Sequence, residues 1–250
     1  MGQERWPKMK IEMRPAFYAL RPGAWREYVT LLHLPFTVWH LSYVVLGAAV
    51  APVLHLDRLA WTCLAFFLGV GLAAHALDEL HDRPLRSGIP DRALLGIAGT
   101  SLAAAMLIGA YASLAIGMWA VPFVLFGGVM VLAYNLEWSG GRFHSGLWFG
   151  LAWGAFPALA GYWANAERLD LEAFLIAGAC FVLSLAQQVL SRRVKSVRRN
   201  AHAVSGRIDF SDGRTEQVSA AYLISAPEAA LKLTGAAVAL LAAGTLVSRV

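Results

Sequence analysis

"LAWTCLAFFLGVGLAAHALDELHDRPLRSGIP", residues Leu59–Pro90, is the stretch whose reading decides the fold. Residues 59–77 form a largely apolar run, long enough as a helix to cross a hydrocarbon core of about 30 Å. The run then meets three carboxylates and two histidines between His75 and Asp82. A greasy helix that stops in dense charge is a helix that stops at a membrane surface. The rest of the 250-residue chain agrees, being 58% hydrophobic and only 15% charged, where soluble domains carry about 25% charged residues. Seven segments have the length and composition of a membrane span: about 35–56, 59–77, 93–116, 118–136, 145–164, 170–190 and 228–248. Their many Gly and Ala residues suit close helix packing in lipid.

The basic residues set the direction. Arg5, Lys8, Lys10, Arg14, Arg21 and Arg26 precede the first span; Arg83, Arg86 and Arg92 follow the second, and Arg142 the fourth. Arg192, Arg193, Lys195, Arg198, Arg199, Arg207 and Arg214 lie between the sixth and seventh. Only Arg58, Arg168 and Arg249 fall on the opposite side. The positive-inside rule therefore predicts a cytoplasmic N-terminus and an external C-terminus in a multi-pass protein of the inner, cytoplasmic membrane. Located this way, the net charge of +5 reads as a topology signal, and no nucleic-acid partner is expected. Residues 1–34 are expected to be a basic cytoplasmic segment with an interfacial helix, and the first apolar run, being long enough to span, is not a cleaved signal. Residues 35–250 form the transmembrane domain, with a cytoplasmic loop at 191–227. Connections on the outer side are short, so polar chemistry belongs on the cytoplasmic face.

His75, Asp78, Glu79 and Asp82 stand at i, i+3, i+4 and i+7, one face of a helix that Pro84 ends near Arg83. Three carboxylates within two turns repel unless a cation lies between them. Hard divalent ions take one or two carboxylates together with phosphate oxygens, so a Mg²⁺–diphosphate site fits; so does a solvated helix end whose acids pair with Arg83, Arg86 and Arg92. The histidines show no pair at the short spacings of a histidine-ligated iron site. Cys63 and Cys180 sit in apolar runs and read as small buried hydrophobes.

"ALDELHDRPLRSGIP" resembles the first aspartate-rich motif of the UbiA superfamily of intramembrane prenyltransferases, with Asp78 and Asp82 matching its last two aspartates. "HLPFTVWHLSYVVLGAAVAP" is similar to the family's first span, and "AYNLEWSGGRFHSGLWFGLAWGAFPALAGYWAN" to its fourth cytoplasmic turn and fifth helix. The resemblance implies an all-α integral membrane bundle, of about seven transmembrane helices here where the family commonly has nine. It also implies Mg²⁺-dependent transfer of a polyprenyl group from its diphosphate to an acceptor. Asp78 and Asp82 are then the metal ligands, with Glu79 assisting, and His75 a base toward the acceptor or a polar supporting group. Tyr134, Phe149, Trp153 and Phe156 line the isoprenoid cavity and shield a carbocation, or are core and lipid-facing aromatics.

The departures are specific. Ala74 and His75 replace the Asn-Asp opening of the motif, and Asp82 runs straight into Arg83. The second aspartate-rich motif, expected at the end of span six, is replaced by "SLAQQVLSRRVKSVRRN", with no acid between Glu172 and Asp209. Arg192, Arg193 and Lys195 stand there as diphosphate ligands, or as a topology signal and lipid-headgroup patch. A catalytically inactive member that holds an isoprenoid lipid or a protein partner is the competing expectation. The "SDG" at 211–213 predicts a hairpin-like turn in the last cytoplasmic loop.

Overall fold

The computed structural model describes residues 14–250; Arg5, Lys8 and Lys10 lie outside the described residues. The described residues are predominantly helical. α1 (Ala24–Leu31) joins α2 (Leu34–Val50) through His33, which has a left-handed φ of 45°. α3 (Leu56–Asp82), α4 (Asp91–Ala115), α5 (Ala120–Asn135), α6 (residues 146–166), α7 (Leu171–Asn200) and α8 (Ala220–Val247) follow. Among the described residues, five helical stretches are long and apolar enough to cross a membrane: α1 with α2, α3, α4, α7 and α8. α5 is apolar but has 16 residues, about 24 Å of helix. The protein is thus a multi-pass membrane protein. Large apolar side chains such as Leu107, Leu114, Leu233 and Leu240 face outward, the arrangement of a bundle solvated by lipid rather than water.

The bundle is held by close backbone approach. α2 and α6 pack so tightly that a Cβ at Gly47 would collide with the Ala158 carbonyl, and one at Gly161 with the Val44 carbonyl. Without a hydrophobic force between helices in lipid, such small-residue contacts supply the packing energy. Trp39 and Tyr43 fill the adjoining core, the indole N–H donating to the Tyr43 hydroxyl.

The two ends of the bundle differ. At one end Arg58 bridges to Glu167 (2.7 Å), His55 N–H donates to Asn165 Oδ1 (2.6 Å) and Arg249 reaches the Pro52 carbonyl (3.1 Å). At the other end Arg198 pairs with Glu228, both largely buried, and donates to the Arg14 carbonyl at 3.1 Å. Residue 14 and the final residues therefore sit at opposite ends of the bundle.

One sequence expectation, the last cytoplasmic loop, needs correction at both ends. α7 runs on to Asn200 and α8 begins at Ala220, so about half of the expected loop 191–227 is helix and only 201–219 connects them. α8 starts early because Ser219 caps it, its hydroxyl accepting from the Tyr222 N–H at 3.1 Å, and because Pro227 is carried inside the helix. The connector holds a short hairpin, β1 (Arg207–Asp209) antiparallel to β2 (Thr215–Gln217), with Ile208 opposite Glu216. The Ser211–Asp212–Gly213 turn closes it with Gly213 at φ 85°, a left-handed position that glycine fills without strain.

Candidate functional site

α3 ends at Asp82 because Pro84 cannot continue it and Arg83 turns left-handed, φ 49°. The chain then folds back over the helix end. Glu79, buried, accepts from the Leu85 and Ser87 N–H groups at 2.8 Å each. Arg83 donates to the Ile89 carbonyl at 2.7 Å and pairs with Asp91. Glu27 of α1 accepts from the Gly88 N–H at 2.7 Å. Glu79, expected as a third metal ligand, is instead the post on which residues 83–90 hang. Both its oxygens are spent on backbone donors, and it does not line the cavity described next.

A cavity of about 620 Å³ opens at the Arg83 end of the bundle. His75, Asp78 and Asp82 of α3 line it, as do Arg192 and Lys195 of α7 and the aromatics Tyr134, Phe149 and Trp153. The ends of α3 and α7, distant in sequence, are thus brought to one chamber. Asp78 and Asp82 have no ion-pair or hydrogen-bond partner among the described residues. The nearby arginines are engaged elsewhere: Arg83 with Asp91, Arg86 with the Arg199 carbonyl (3.2 Å), Arg192 with Gln188 Oε1 (3.0 Å). Among the described residues the acids do not pair with neighbouring arginines, and the two carboxylates fit a divalent cation.

Arg193 does not line the cavity and is exposed. One residue on from Arg192 is a rotation of about 100° around the helix. Arg199, seven residues from Arg192, does line it, so the cationic face is Arg192, Lys195 and Arg199. That i, i+3, i+7 spacing was the available signal for Arg199. Phe156 also lies elsewhere, packed among Phe66, Phe123 and Phe126. It lines a second, apolar cavity of about 410 Å³ between α3, α4, α5 and α6. Val70 and Trp153 line both chambers and form the partition between them.

The polar chamber also holds His33 and His40, which in sequence read as polar interfacial residues at the start of the first span, and two residues of the α5–α6 turn. His33 stacks on His75 with ring centroids 4.1 Å apart, and His75 Nδ1 donates to the Gly71 carbonyl at 3.1 Å. His40 Nδ1 lies 2.8 Å from the Trp153 carbonyl. That carbonyl is available because the residue four further on is Pro157, which has no N–H to offer it. Glu137 and His144 enter from the turn between α5 and α6, the His144 ring stacked on Tyr134 at 4.5 Å. Each of the three π-helical segments, Phe67–Ala74, Gly150–Ala155 and Ser196–Asn200, contributes wall residues to the chamber, the kind of irregularity that concentrates at functional sites. Outside the spans, burial raises the Tyr18 hydroxyl well above its ordinary pKa, keeping it neutral where the N-terminal segment packs on the bundle.

No protein-family model, curated protein or solved structure matches the chain.

Proposed function

We propose that the protein is a UbiA-like prenyltransferase of the inner membrane, crossing it seven times with its N-terminus in the cytoplasm. It moves a polyprenyl group from its diphosphate to an acceptor. One observation carries the reading: two unpaired aspartates and the cations Arg192, Lys195 and Arg199 line one chamber, and that chamber shares a wall with an apolar one. A prenyl diphosphate has this same division, a polyanionic head on a long apolar tail.

In this reading Arg192, Lys195 and Arg199 bind the diphosphate oxygens, the arginines through their planar forks. A divalent ion, Mg²⁺ in the family resemblance, supplies further positive charge to the leaving group when held by Asp78 and Asp82. The C–O bond of the allylic carbon breaks and its electron pair leaves with the diphosphate. Tyr134, Phe149 and Trp153 face the developing cation. The acceptor bonds to that carbon and gives up a proton, which His75 or His40 of the chamber wall takes up.

A second reading, a lipid- or partner-binding protein without chemistry, is favoured by the Arg192–Gln188 bond, which stands where the family keeps its second pair of carboxylates. Diphosphate release from a labelled prenyl diphosphate by the purified protein decides between them. Release lost in Asp78→Ala and Asp82→Ala supports the enzyme; tight lipid binding indifferent to both substitutions and to chelator supports the binder.

A further inference from the structure

At the mouth of the polar chamber, one ligand atom each from His81, Asp82 and Glu137 lie within 4.8 Å of one another. His81 and Asp82 close α3, and Glu137 opens the turn after α5. We propose that these three residues hold a divalent transition ion of the Mn²⁺ or Zn²⁺ type, and that Glu137 replaces the acidic pair missing from the end of α7. The ion's use in diphosphate chemistry rests on the reading above; its binding does not.

The donor set argues for this class of ion. Mg²⁺ keeps its waters and takes carboxylate oxygens, whereas an imidazole nitrogen selects later divalent metals. Donors about 2.1 Å from a shared tetrahedral ion are about 3.4 Å apart, so small rotations of three surface side chains close the site. His81 and Asp82 have no other partner among the described residues, and two facing carboxylates repel without a cation between them. Glu137 is steadied by His144, whose Nδ1 is 3.7 Å from Glu137 Oε1 and 3.2 Å from the Tyr134 carbonyl. Three protein ligands leave coordination positions open to a guest.

Two buried atoms of the same chamber point independently to such a guest. Gln187 Oε1 and His33 Nε2 have no partner, in residues 3% and 6% exposed that both line the chamber. Buried polar atoms are almost always satisfied in a folded protein, so a polar ligand belongs inside the mouth that the three residues guard.

The test is Mn²⁺ binding to chelator-stripped protein in detergent, followed by loss of the free-ion paramagnetic resonance signal. One ion per chain is expected, displaced by equimolar Zn²⁺ and by Mg²⁺ only in roughly hundredfold excess. His81→Ala and Glu137→Gln should each weaken binding tenfold or more, while Asp209→Asn, on the hairpin outside the chamber, should leave it unchanged; thermal melting checks that each variant is folded. Binding lost in Asp78→Asn but kept in His81→Ala and Glu137→Gln overturns the site, as does displacement by Mg²⁺ as readily as by Zn²⁺. Ion binding without diphosphate release supports this site and overturns the transferase.

Discussion

The Glu79 carboxylate accepts the Leu85 N–H at 2.8 Å and, through its other oxygen, the Ser87 N–H at the same distance. Three residues of one acidic stripe thus have two unlike jobs. Glu79→Ala strands two donors and should lower stability by about 3 kcal/mol. Asp78→Asn and Asp82→Asn should stay within about 0.5 kcal/mol of the parent, since no ion pair is lost. Denaturant titration in mixed micelles measures all three.

The His40–Trp153 bond depends on Pro157. His40→Phe removes the donor and leaves the Trp153 carbonyl unsatisfied, at a cost of about 1–3 kcal/mol. Pro157→Ala restores a backbone N–H four residues on from that carbonyl. In this background the His40→Phe penalty should fall by about 1 kcal/mol, a coupling that a double-mutant cycle reads directly.

Gly161 meets the Val44 backbone with no room for a side chain. Gly161→Val should therefore destabilise by about 3 kcal/mol, because overpacking here pushes on main chain rather than on a flexible side chain. Gly178, with nothing near its missing Cβ, is the control. Gly178→Ala should be neutral or stabilising by up to about 1 kcal/mol.

The cationic face of α7 predicts a contrast between near neighbours. Arg199→Gln and Lys195→Gln should each weaken binding of inorganic diphosphate about tenfold, the worth of one charge-assisted hydrogen bond. Arg193→Gln, outside the chamber, should change nothing. Calorimetry at low salt measures this.

Several features could be read directly. Pro84 marked the end of α3, Ser211–Asp212–Gly213 the hairpin, and the apolar runs the five long helices. The chemistry was harder to place because a linear stripe gives a helix face but not what folds onto it. Residues 83–90 turn back over one edge of that face and capture Glu79. Glu137 was hidden because a lone acid in a tight turn has no periodicity to betray it. Arg199 and Arg193 differ only by rotation around α7, which spacing could have separated. The start of α8 is hidden in sequence because Pro227 ordinarily marks a helix boundary, whereas here the helix carries it and begins at the Ser219 cap.

The most direct test of the account is the structure of the protein with an unreactive prenyl thiodiphosphate. The account predicts the diphosphate between Asp78, Asp82 and the Arg192–Lys195–Arg199 face, with the tail passing Trp153 into the apolar chamber beside Phe156. A ligand bound on the lipid-facing surface, with the polar chamber holding only water, would contradict it.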